Sequence, residues 1–369
     1  MNIVVTGSKG FIGKNLIQTL QNETGHSIYE IDRTTPEKTI DDYLKKSDFI
    51  YHLAGVNRPQ DEVEFMKGNK GLIEEIIDKL ERYDNYPPIL FTSSIQAELD
   101  NLYGKSKRAG EEIVESYQTR NNVPVYIYRL PNIFGKWSRP NYNSVVATFC
   151  HKIARGEEIQ VNDPNVVLTL AYIDDVVMEF LSALNGEAYK ESDYYTIPNI
   201  YEVKLGEIAE LIYSFKESRT NRLVPDMSDS FTKKLYSTYL SYLPEDQFSY
   251  PLLMHEDDRG SFTEFVKSPQ GGQVSVNISK PGITKGEHWH HTKNEKFLVV
   301  KGEGVIRFRD IYSEEVIEYV VSDEKLEVVD IPVGYTHSIV NTGEEDMVTI
   351  MWVNELFDPN NPDTYFLEV

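Results

Sequence analysis

One stretch near the N-terminus decides the fold of the first half of the chain: Ile3-Val4-Val5-Thr6-Gly7-Ser8-Lys9-Gly10-Phe11-Ile12-Gly13. The apolar residues predict a short buried strand, and the glycines predict a tight turn that opens a helix. Glycine lets the backbone approach a pyrophosphate closely, while a helix N-terminus offers unpaired N–H groups. Tight turns also use glycine for steric reasons alone, so the position directly after the first strand is what indicates a dinucleotide site.

Strand-like and helix-like segments continue to alternate beyond this turn. Further strand-like runs occur at residues 27–31, 48–53, 89–91 and 125–128. Apolar residues at helical spacing lie between them, as in Ile73, Ile76, Ile77 and Leu80. This alternation predicts an α/β domain of the Rossmann type, with a doubly wound parallel sheet.

The pattern of apolar residues in the sequence changes near residue 250. Short runs of Val, Ile, Phe and Thr, punctuated by Gly and Pro, follow at residues 273–278, 295–300, 305–308, 316–321 and 347–353. Many short strands with little helical periodicity between them predict an all-β sandwich or barrel. We therefore predict two domains, at residues 1–245 and 246–369.

Composition excludes several classes of protein. The 369 residues contain 37 Lys and Arg against 59 Asp and Glu, a net charge of −22, so a nucleic acid would be repelled overall. The single cysteine, Cys150, excludes an internal disulfide. Because the sequence begins without a secretion signal and contains no apolar run of about 18 residues, we expect a cytoplasmic protein without membrane insertion.

Asp32 and Arg33 bear on the choice of cofactor, because they stand about 20 residues after the glycine-rich turn, at the end of the second predicted strand. An acidic side chain there would bind a ribose 2′-hydroxyl and favour NAD. An arginine would pair with a 2′-phosphate and favour NADP. Asp32 favours NAD and Arg33 favours NADP, so the sequence leaves the choice between the two cofactors open.

Ser94, Tyr103 and Lys107 form a candidate catalytic set. Tyr103 and Lys107 are four residues apart and share one face of a helix, so we expect the ammonium group to lower the pKa of the phenol from about 10. A phenol of this kind can donate a proton to a carbonyl oxygen that is being reduced. Ser94 follows a predicted strand and would hold that oxygen by a hydrogen bond.

In this combination the first half of the chain resembles the extended short-chain dehydrogenase/reductase family, which acts mostly on nucleotide sugars. The resemblance implies an NAD(P) cofactor bound by the turn at Gly7, Gly10, Phe11, Ile12 and Gly13, and by Leu53, Ala54, Gly55, Tyr103 and Lys107. It also implies catalysis by Ser94, Tyr103 and Lys107. Asn132 matches a family residue that contacts the sugar nucleotide.

A second candidate site lies in the C-terminal half, where His288, His290, Glu295 and Gly302 follow Gly282 with the spacing G-x5-H-x-H-x4-E-x6-G. Residues two apart on a strand face the same side, so both imidazoles can point inward together. His337 adds a third imidazole. Such donors suit Zn, Fe, Mn or Ni, and ligand type does not choose among them. A polar cluster without a metal is the alternative.

This spacing resembles the cupin superfamily, which implies a β-barrel (jelly roll) for residues 246–369. Residues 257–265 also resemble a motif of cupins that epimerise keto-deoxysugar nucleotides, in which Arg259 and Glu264 would hold the sugar nucleotide and His288 would remove a proton beside the ketone. Those enzymes usually work without a metal. His288 therefore has two competing roles, as metal ligand or as general base.

The two halves together resemble a bifunctional enzyme family of capsular polysaccharide biosynthesis. The resemblance implies C3 epimerisation of UDP-2-acetamido-2,6-dideoxy-L-arabino-hexos-4-ulose in a zinc-containing cupin domain, followed by NADPH-dependent reduction at C4. The product would be UDP-N-acetyl-6-deoxy-L-talosamine, a precursor of N-acetyl-L-fucosamine. A homodimer through the cupin domain is also implied. Two alternatives remain: a ketoreductase whose cupin domain serves dimerisation only, and a catalytically silent NADP or sugar-nucleotide sensor.

Overall fold

The computed structural model describes residues 1–22, 25–59 and 61–369, and the helices and strands of the following paragraphs lie within these ranges. The chain divides into two compact units. The first unit comprises Met1–Ile212 and Lys234–Pro244, and the second comprises Tyr213–Lys233 and Glu245–Val369. The second unit thus contains a segment that precedes the sequence-based boundary at residue 245.

A parallel sheet organises the first unit, with its strands in the order β2-β1-β3-β4-β5. The strands are β1 (Asn2–Thr6), β2 (Ser27–Ile31), β3 (Phe49–His52), β4 (Ile89–Ser94) and β5 (Val125–Leu130). The helices among them are α1 (Phe11–Asn22), α2 (Glu37–Leu44), α3 (Val63–Met66), α4 (Leu72–Arg82) and α5 (Leu102–Asn121). A π-helical turn covers Lys67–Gly71, and a 3-10 turn covers Ile95–Glu98.

Helices cover both faces of this sheet because successive strand residues point to opposite sides. Ile3 and Val5 pack in a cluster with Leu16 of α1, whereas Val4 packs in another cluster with residues of α4 and α5 such as Ile77 and Val114. The strand order reverses beside β1. Ligands of open α/β sheets bind at the carboxyl ends of the strands at such a point, where Gly7 follows β1 and Leu53 follows β3.

The chain continues with a small mixed sheet and further helices. These elements are β6 (Asn132–Phe134), α6 (Val145–Ala154), β7 (Val167–Tyr172), α7 (Ile173–Leu184), β8 (Ile200–Lys204), α8 (Leu205–Asn221) and α9 (Ser230–Leu240). The sheet has the order β6-β7-β8. None of the described helices is both long enough and apolar enough to cross a membrane.

The second unit is built on two antiparallel sheets. The strands are β9 (Met254–Asp257), β10 (Gly260–Ser268), β11 (Gly272–Ser279), β12 (Thr284–Trp289), β13 (Glu295–Lys301), β14 (Glu303–Asp310), β15 (Val316–Ser322), β16 (Val328–Ile331), β17 (Tyr335–Asn341), β18 (Met347–Val353) and β19 (Tyr365–Phe366). One sheet has the order β16-β13-β18-β11-β10-β9 and the other β15-β14-β17-β12-β19. A 3-10 turn, Glu245–Gln247, precedes them.

The core of the second unit joins the two sheets. Phe297 and Val299 of one sheet pack in a single buried cluster with Ile306, Phe308 and Ile339 of the other. The core between the sheets is apolar at these positions, whereas the buried side chains of β11 are polar: Gln273, Ser275, Asn277 and Ser279. The predicted fold class, an α/β unit of Rossmann type followed by an all-β unit, is confirmed.

Candidate active sites

The glycine-rich turn is shaped by close backbone contacts. Gly7 has φ 67°, and a Cβ on it would lie 2.8 Å from the backbone nitrogen of Ala54. A Cβ on Gly13 would lie 2.4 Å from the carbonyl oxygen of Gly7. Only glycine fits at both positions, so the turn and the first turn of α1, with Phe11 and Ile12, are held tightly at the carboxyl end of β1. This arrangement can present backbone N–H groups to a pyrophosphate.

A threonine and a histidine brace this turn, and neither residue was predicted from the sequence. The Thr6 hydroxyl lies 3.1 Å from Nδ1 of His52 and accepts a 3.2 Å hydrogen bond from the backbone N–H of Ala54. His52 is fully buried, and burial, followed by the charge of Lys107, lowers its pKa to about 3. A neutral, fixed imidazole therefore connects the ends of β1 and β3.

Asp32 and Arg33 lie at the end of β2 in different settings. The Asp32 carboxylate pairs with Lys9 and accepts hydrogen bonds from the backbone and hydroxyl groups of Thr34, at 2.6 Å each. The bonds to Lys9 and Thr34 hold the pKa of the Asp32 carboxyl well below its usual range. Arg33, in contrast, has an exposed side chain. The aspartate is thus anchored, whereas the arginine is available to a ligand.

Ser94, Tyr103 and Lys107 come together at the carboxyl end of β4. Ser94 is the last residue of β4, and its hydroxyl accepts a 3.2 Å hydrogen bond from the backbone N–H of Gln96 and lies close enough to Tyr103, at the start of α5, to influence the pKa of that phenol. The Lys107 ammonium donates a 3.0 Å hydrogen bond to the carbonyl oxygen of Thr92 and lies 5.9 Å from the centre of the Tyr103 ring. The helical spacing therefore places the lysine and the phenol on one face, as expected.

The expected lowering of the Tyr103 pKa is wrong. Burial raises the pKa of the phenol, although the hydrogen bond from Ser94 opposes the shift. Burial also lowers the pKa of Lys107 to about 8, against the opposing influence of the Glu111 carboxylate. Lys107 is buried and Tyr103 is partly buried, and a phenol whose pKa is raised above 10 keeps its proton at neutral pH. This is the state required of a general acid.

Gly55 and Asn69 lie where the turn after β3 meets Lys107, the predicted catalytic lysine. A Cβ on Gly55 would lie 3.1 Å from the Lys107 nitrogen and 2.9 Å from Oδ1 of Asn69. The Asn69 amide holds Val56 through bonds of 2.8 and 3.0 Å and donates to the Ser106 hydroxyl at 2.9 Å. The predicted turn Leu53-Ala54-Gly55 is therefore fixed directly beside Lys107.

A buried carboxylate beneath this set was not predicted from the sequence. Glu111 of α5 has no exposed side-chain surface and accepts hydrogen bonds from Ser93 at 2.5 Å, from Arg129 at 2.9 and 2.7 Å, and from Arg108 at 3.2 Å. Ser93 belongs to β4 and Arg129 to β5. Glu111 therefore connects α5, which carries Tyr103 and Lys107, to β4, which carries Ser94, and to β5.

The second unit brings the predicted metal ligands into one cluster. One donor atom from each of His288, His290, Glu295 and His337 lies within 4.8 Å of all the others. The Nε2 atoms of His290 and His337 lie 3.6 and 3.2 Å from Oε2 of Glu295. β12 supplies His288 and β17 supplies His337, which face each other in the strand register. The rings of His288 and His290 lie 4.9 Å apart, as predicted, but β12 ends at Trp289, so His290 follows the strand and does not belong to it.

The donor atoms of this cluster fit a divalent cation. Nε2 of His290, Nε2 of His337 and Oε2 of Glu295 are buried without a hydrogen-bond partner in the described chain. Buried polar atoms are rarely left unpaired, and imidazole with carboxylate is a common donor set for zinc. Burial and then His337 lower the pKa of His288 to about 4, so its imidazole is neutral. Neutral nitrogen is the form that binds a metal or accepts a proton.

The remaining predicted substrate residues have other partners or lie at the surface. Asn132 is exposed at the start of β6. Arg259 is exposed and pairs with Asp257 at 3.0 and 2.7 Å. Glu264 pairs with Arg222 at 2.7 Å and with Lys267 at 2.8 Å. Arg259 and Glu264 would therefore exchange partners if they bound a ligand.

The first unit matches a family of known enzymes. Residues 3–197 match the NAD dependent epimerase/dehydratase family, and residues 255–365 match the polysaccharide biosynthesis C-terminal domain. Together with the parallel sheet and its glycine-rich turn, this match defines an oxidoreductase class that uses a nicotinamide dinucleotide.

More specific similarities extend over the whole chain. The UDP-2-acetamido-2,6-beta-L-arabino-hexul-4-ose reductase of Pseudomonas aeruginosa is 45% identical over 369 residues, which is 100% of this chain and 99% of the relative. The crystal structure of the capsular polysaccharide assembling protein CapF from Staphylococcus aureus is 62% identical with a TM-score of 0.95, covering 100% of both chains. A CapF structure with the inhibitor 3-isopropenyl-tropolone is 58% identical with a TM-score of 0.91, also covering 100% of both chains. The chain belongs to the CapF family, which confirms the full-length resemblance inferred from its motifs.

Proposed function

We propose that the chain is a bifunctional UDP-ketosugar enzyme of cytoplasmic capsular polysaccharide biosynthesis. Its cupin-type second unit epimerises C3 of UDP-2-acetamido-2,6-dideoxy-L-arabino-hexos-4-ulose, and its first unit reduces the C4 ketone to give UDP-N-acetyl-6-deoxy-L-talosamine. The observation that carries this proposal is the full-length identity of 45% to a UDP-ketosugar reductase in a chain that also has a clustered His/Glu site. Epimerisation comes first, because the ketone acidifies the adjacent C–H and its reduction ends that exchange.

In the reductase site, each side chain has a defined task. The nicotinamide supplies the hydride when the cofactor is bound. Tyr103 donates its proton to the C4 oxygen, Ser94 holds that oxygen by a hydrogen bond, and Lys107 provides positive charge beside the phenolate that forms. A phenol is protonated at neutral pH whether or not its pKa is raised, so Tyr103 has a proton to donate. Asn132 is assigned to the sugar nucleotide.

In the epimerase site, the buried donors and the more exposed histidine are assigned different tasks. His290, Glu295 and His337 hold a zinc ion, because their inward atoms are the buried ones without a partner. The chemistry that this ion supplies when bound is polarisation of the ketone oxygen. His288, which is only partly buried, removes the C3 proton, and Arg259 and Glu264 bind the sugar nucleotide. A tropolone offers adjacent carbonyl and hydroxyl oxygens, as a metal chelator does, and a tropolone inhibits a related CapF.

Deuterium exchange tests the epimerase half of this function. When the chain is incubated in D2O with the ketosugar nucleotide but without NADPH, we expect deuterium to enter at C3, because proton removal does not need the reductant. Mass spectrometry and NMR measure the label. His288→Asn removes the base, so exchange should fall by roughly 10²-fold or more.

The control for this experiment is His291→Asn, which changes a neighbouring exposed histidine and should exchange normally. The zinc content of His288→Asn separates the two roles of that residue: a base leaves the metal in place, whereas a ligand does not. No deuterium at C3 with the wild-type chain would contradict the epimerase and favour the alternative, a ketoreductase with a non-catalytic cupin. The reductase name of the full-length relative supports that alternative.

NADPH is the proposed cofactor because Arg33 is exposed at the end of β2, whereas Asp32 is bound by Lys9 and Thr34. A hydrogen bond to a charged group contributes about 1.5–3 kcal/mol. Arg33→Ala should therefore lower the preference for NADPH over NADH by about 10- to 100-fold, measured as the ratio of kcat/KM values. Arg82→Ala is the control, since Arg82 is also exposed but is the last residue of α4, the helix that precedes β4. An unchanged ratio in Arg33→Ala would remove Arg33 from cofactor selection.

A homodimer formed through the second unit is also proposed. β15 is an edge strand, and four of its apolar side chains are exposed, whereas Val321 is buried: the exposed fractions are 44% for Val316, 42% for Ile317, 51% for Tyr319 and 78% for Val320. An apolar edge strand offers unpaired N–H and C=O groups to another chain. A second copy of this chain presents the same strand, which fits a symmetric pairing.

A further inference from the structure

The last residues of the chain run along the strand that carries His288 and leads into His290. β19 pairs antiparallel with β12, placing Phe366 opposite His288 and Tyr365 opposite Trp289. The backbone N–H of Leu367 donates a 3.0 Å hydrogen bond to the carbonyl oxygen of Glu287. This pairing brings the residues just before β19 to the turn that follows His290.

Asp363 occupies that turn with its side chain. Its carboxylate accepts hydrogen bonds from three consecutive backbone N–H groups, those of His291 at 3.0 Å, Thr292 at 2.8 Å and Lys293 at 2.9 Å. The Thr292 hydroxyl donates a fourth, at 3.0 Å. One side chain therefore fixes the turn between β12 and β13, the strands that supply His288 and Glu295.

The backbone of Asp363 contacts a histidine of the cluster directly. Its carbonyl oxygen lies 2.6 Å from Nδ1 of His290, a residue that is only 1% exposed. A carbonyl oxygen can only accept, so Nδ1 carries the hydrogen and Nε2 keeps a free lone pair. That Nε2 atom lies 3.6 Å from Oε2 of Glu295, inside the cluster.

We propose that Asp363 is a positioning residue of the metal site, in that its carboxylate anchors the turn while its carbonyl oxygen holds His290 as the tautomer that turns a lone pair toward the metal. The inference rests on the proposed function, because it takes the cluster to be a metal site. Partners that orient ligating histidines in this way typically contribute 10- to 100-fold to metal affinity.

Zinc affinity of the full chain tests this role. Asp363→Ala removes all four side-chain hydrogen bonds, so we expect zinc binding, measured by competition with a chromophoric chelator, to weaken by about 10- to 100-fold. Asp363→Asn keeps one carbonyl acceptor and suits the φ of 37° at this position, so its affinity should lie between those of the alanine variant and the wild type. Asp358→Ala is the control, because Asp358 bonds Asn360 within the same segment, and it should bind zinc normally.

The tautomer of His290 gives a second readout that does not depend on metal. In metal-free protein labelled with 15N-histidine, NMR should show Nδ1–H for His290 in the wild type and a mixture of tautomers in Asp363→Ala. Wild-type zinc affinity and an unchanged tautomer in both Asp363 variants would overturn the proposal while leaving the metal site intact. Failure of the wild type to bind zinc would instead contradict the proposed function, and the tautomer would still test the role of Asp363. If Asp363→Ala does not fold, Asp363→Asn decides the outcome.

Discussion

Replacing Tyr103 with phenylalanine should reduce the turnover of the ketosugar by about 10²- to 10⁴-fold, the range expected when a positioned general acid is lost. The substitution removes one hydroxyl group, whose pKa is influenced by Ser94. It keeps the aromatic ring, whose centre lies 5.8 Å from that of Phe65. Turnover should therefore fall while the packing of α5 persists. The measurement is NADPH oxidation at saturating substrate.

The variant should still bind NADPH with near-normal affinity, which calorimetry measures. Tyr86→Phe is a matched control, because it also removes one phenolic hydroxyl and one hydrogen bond, to Asp84 at 2.9 Å, but at a position 37% exposed. Its turnover should equal that of the wild type. A Tyr103→Phe enzyme with near-normal NADPH oxidation would exclude Tyr103 as the proton donor, and with it the catalytic role of the Ser94–Tyr103–Lys107 set.

The sequence predicted those features of the fold that depend on residues near one another in the chain. The run at residues 27–31 coincides with β2 (Ser27–Ile31), and the run at 125–128 lies within β5 (Val125–Leu130). Alternation and helical spacing are local, so they survive in the folded protein. The metal cluster was also predictable, because two of its histidines are two residues apart and the motif spacing brings in Glu295.

The features that the sequence did not predict depend on burial or on contacts between distant residues. The spacing of Tyr103 and Lys107 indicates that the two are close, but it does not indicate that Lys107 is buried and Tyr103 partly buried, and burial sets the direction of each pKa shift. Asp363 lies far along the chain from the turn that it anchors at His291. Single polar residues of this kind follow no periodicity, so no pattern distinguishes them from surface residues.

Replacing Glu111 with alanine should lower the free energy of unfolding of the first unit by about 3–5 kcal/mol, the usual effect of removing one partner of a buried ion pair. The reason is that Arg129, only 11% exposed, would keep its charge without its two hydrogen bonds to Glu111. Arg129 would keep the ring of Tyr194, 3.5 Å from its guanidinium carbon, and Glu98 at 2.8 Å, but the Glu98 side chain is 73% exposed and the ring carries no charge, so the two compensate only in part. Chemical denaturation followed by the helical circular dichroism signal is the measurement, since most helices belong to the first unit.

Two further variants test whether the loss of stability comes from breaking the buried ion pair or from removing any carboxylate of α5. Glu112→Ala removes the next carboxylate of α5, whose side chain is 63% exposed and 3.7 Å from Arg108, and should change stability by less than about 0.5 kcal/mol. Arg129→Met added to Glu111→Ala removes the positive charge that was left buried without Glu111, so the double variant should be more stable than Glu111→Ala alone. Equal stability of Glu111→Ala and Glu112→Ala would contradict this account. It would also mean that the hydrogen bonds of Glu111 do not fix α5 against β4 and β5. Apolar packing would then have to maintain the positions of Tyr103 and Lys107.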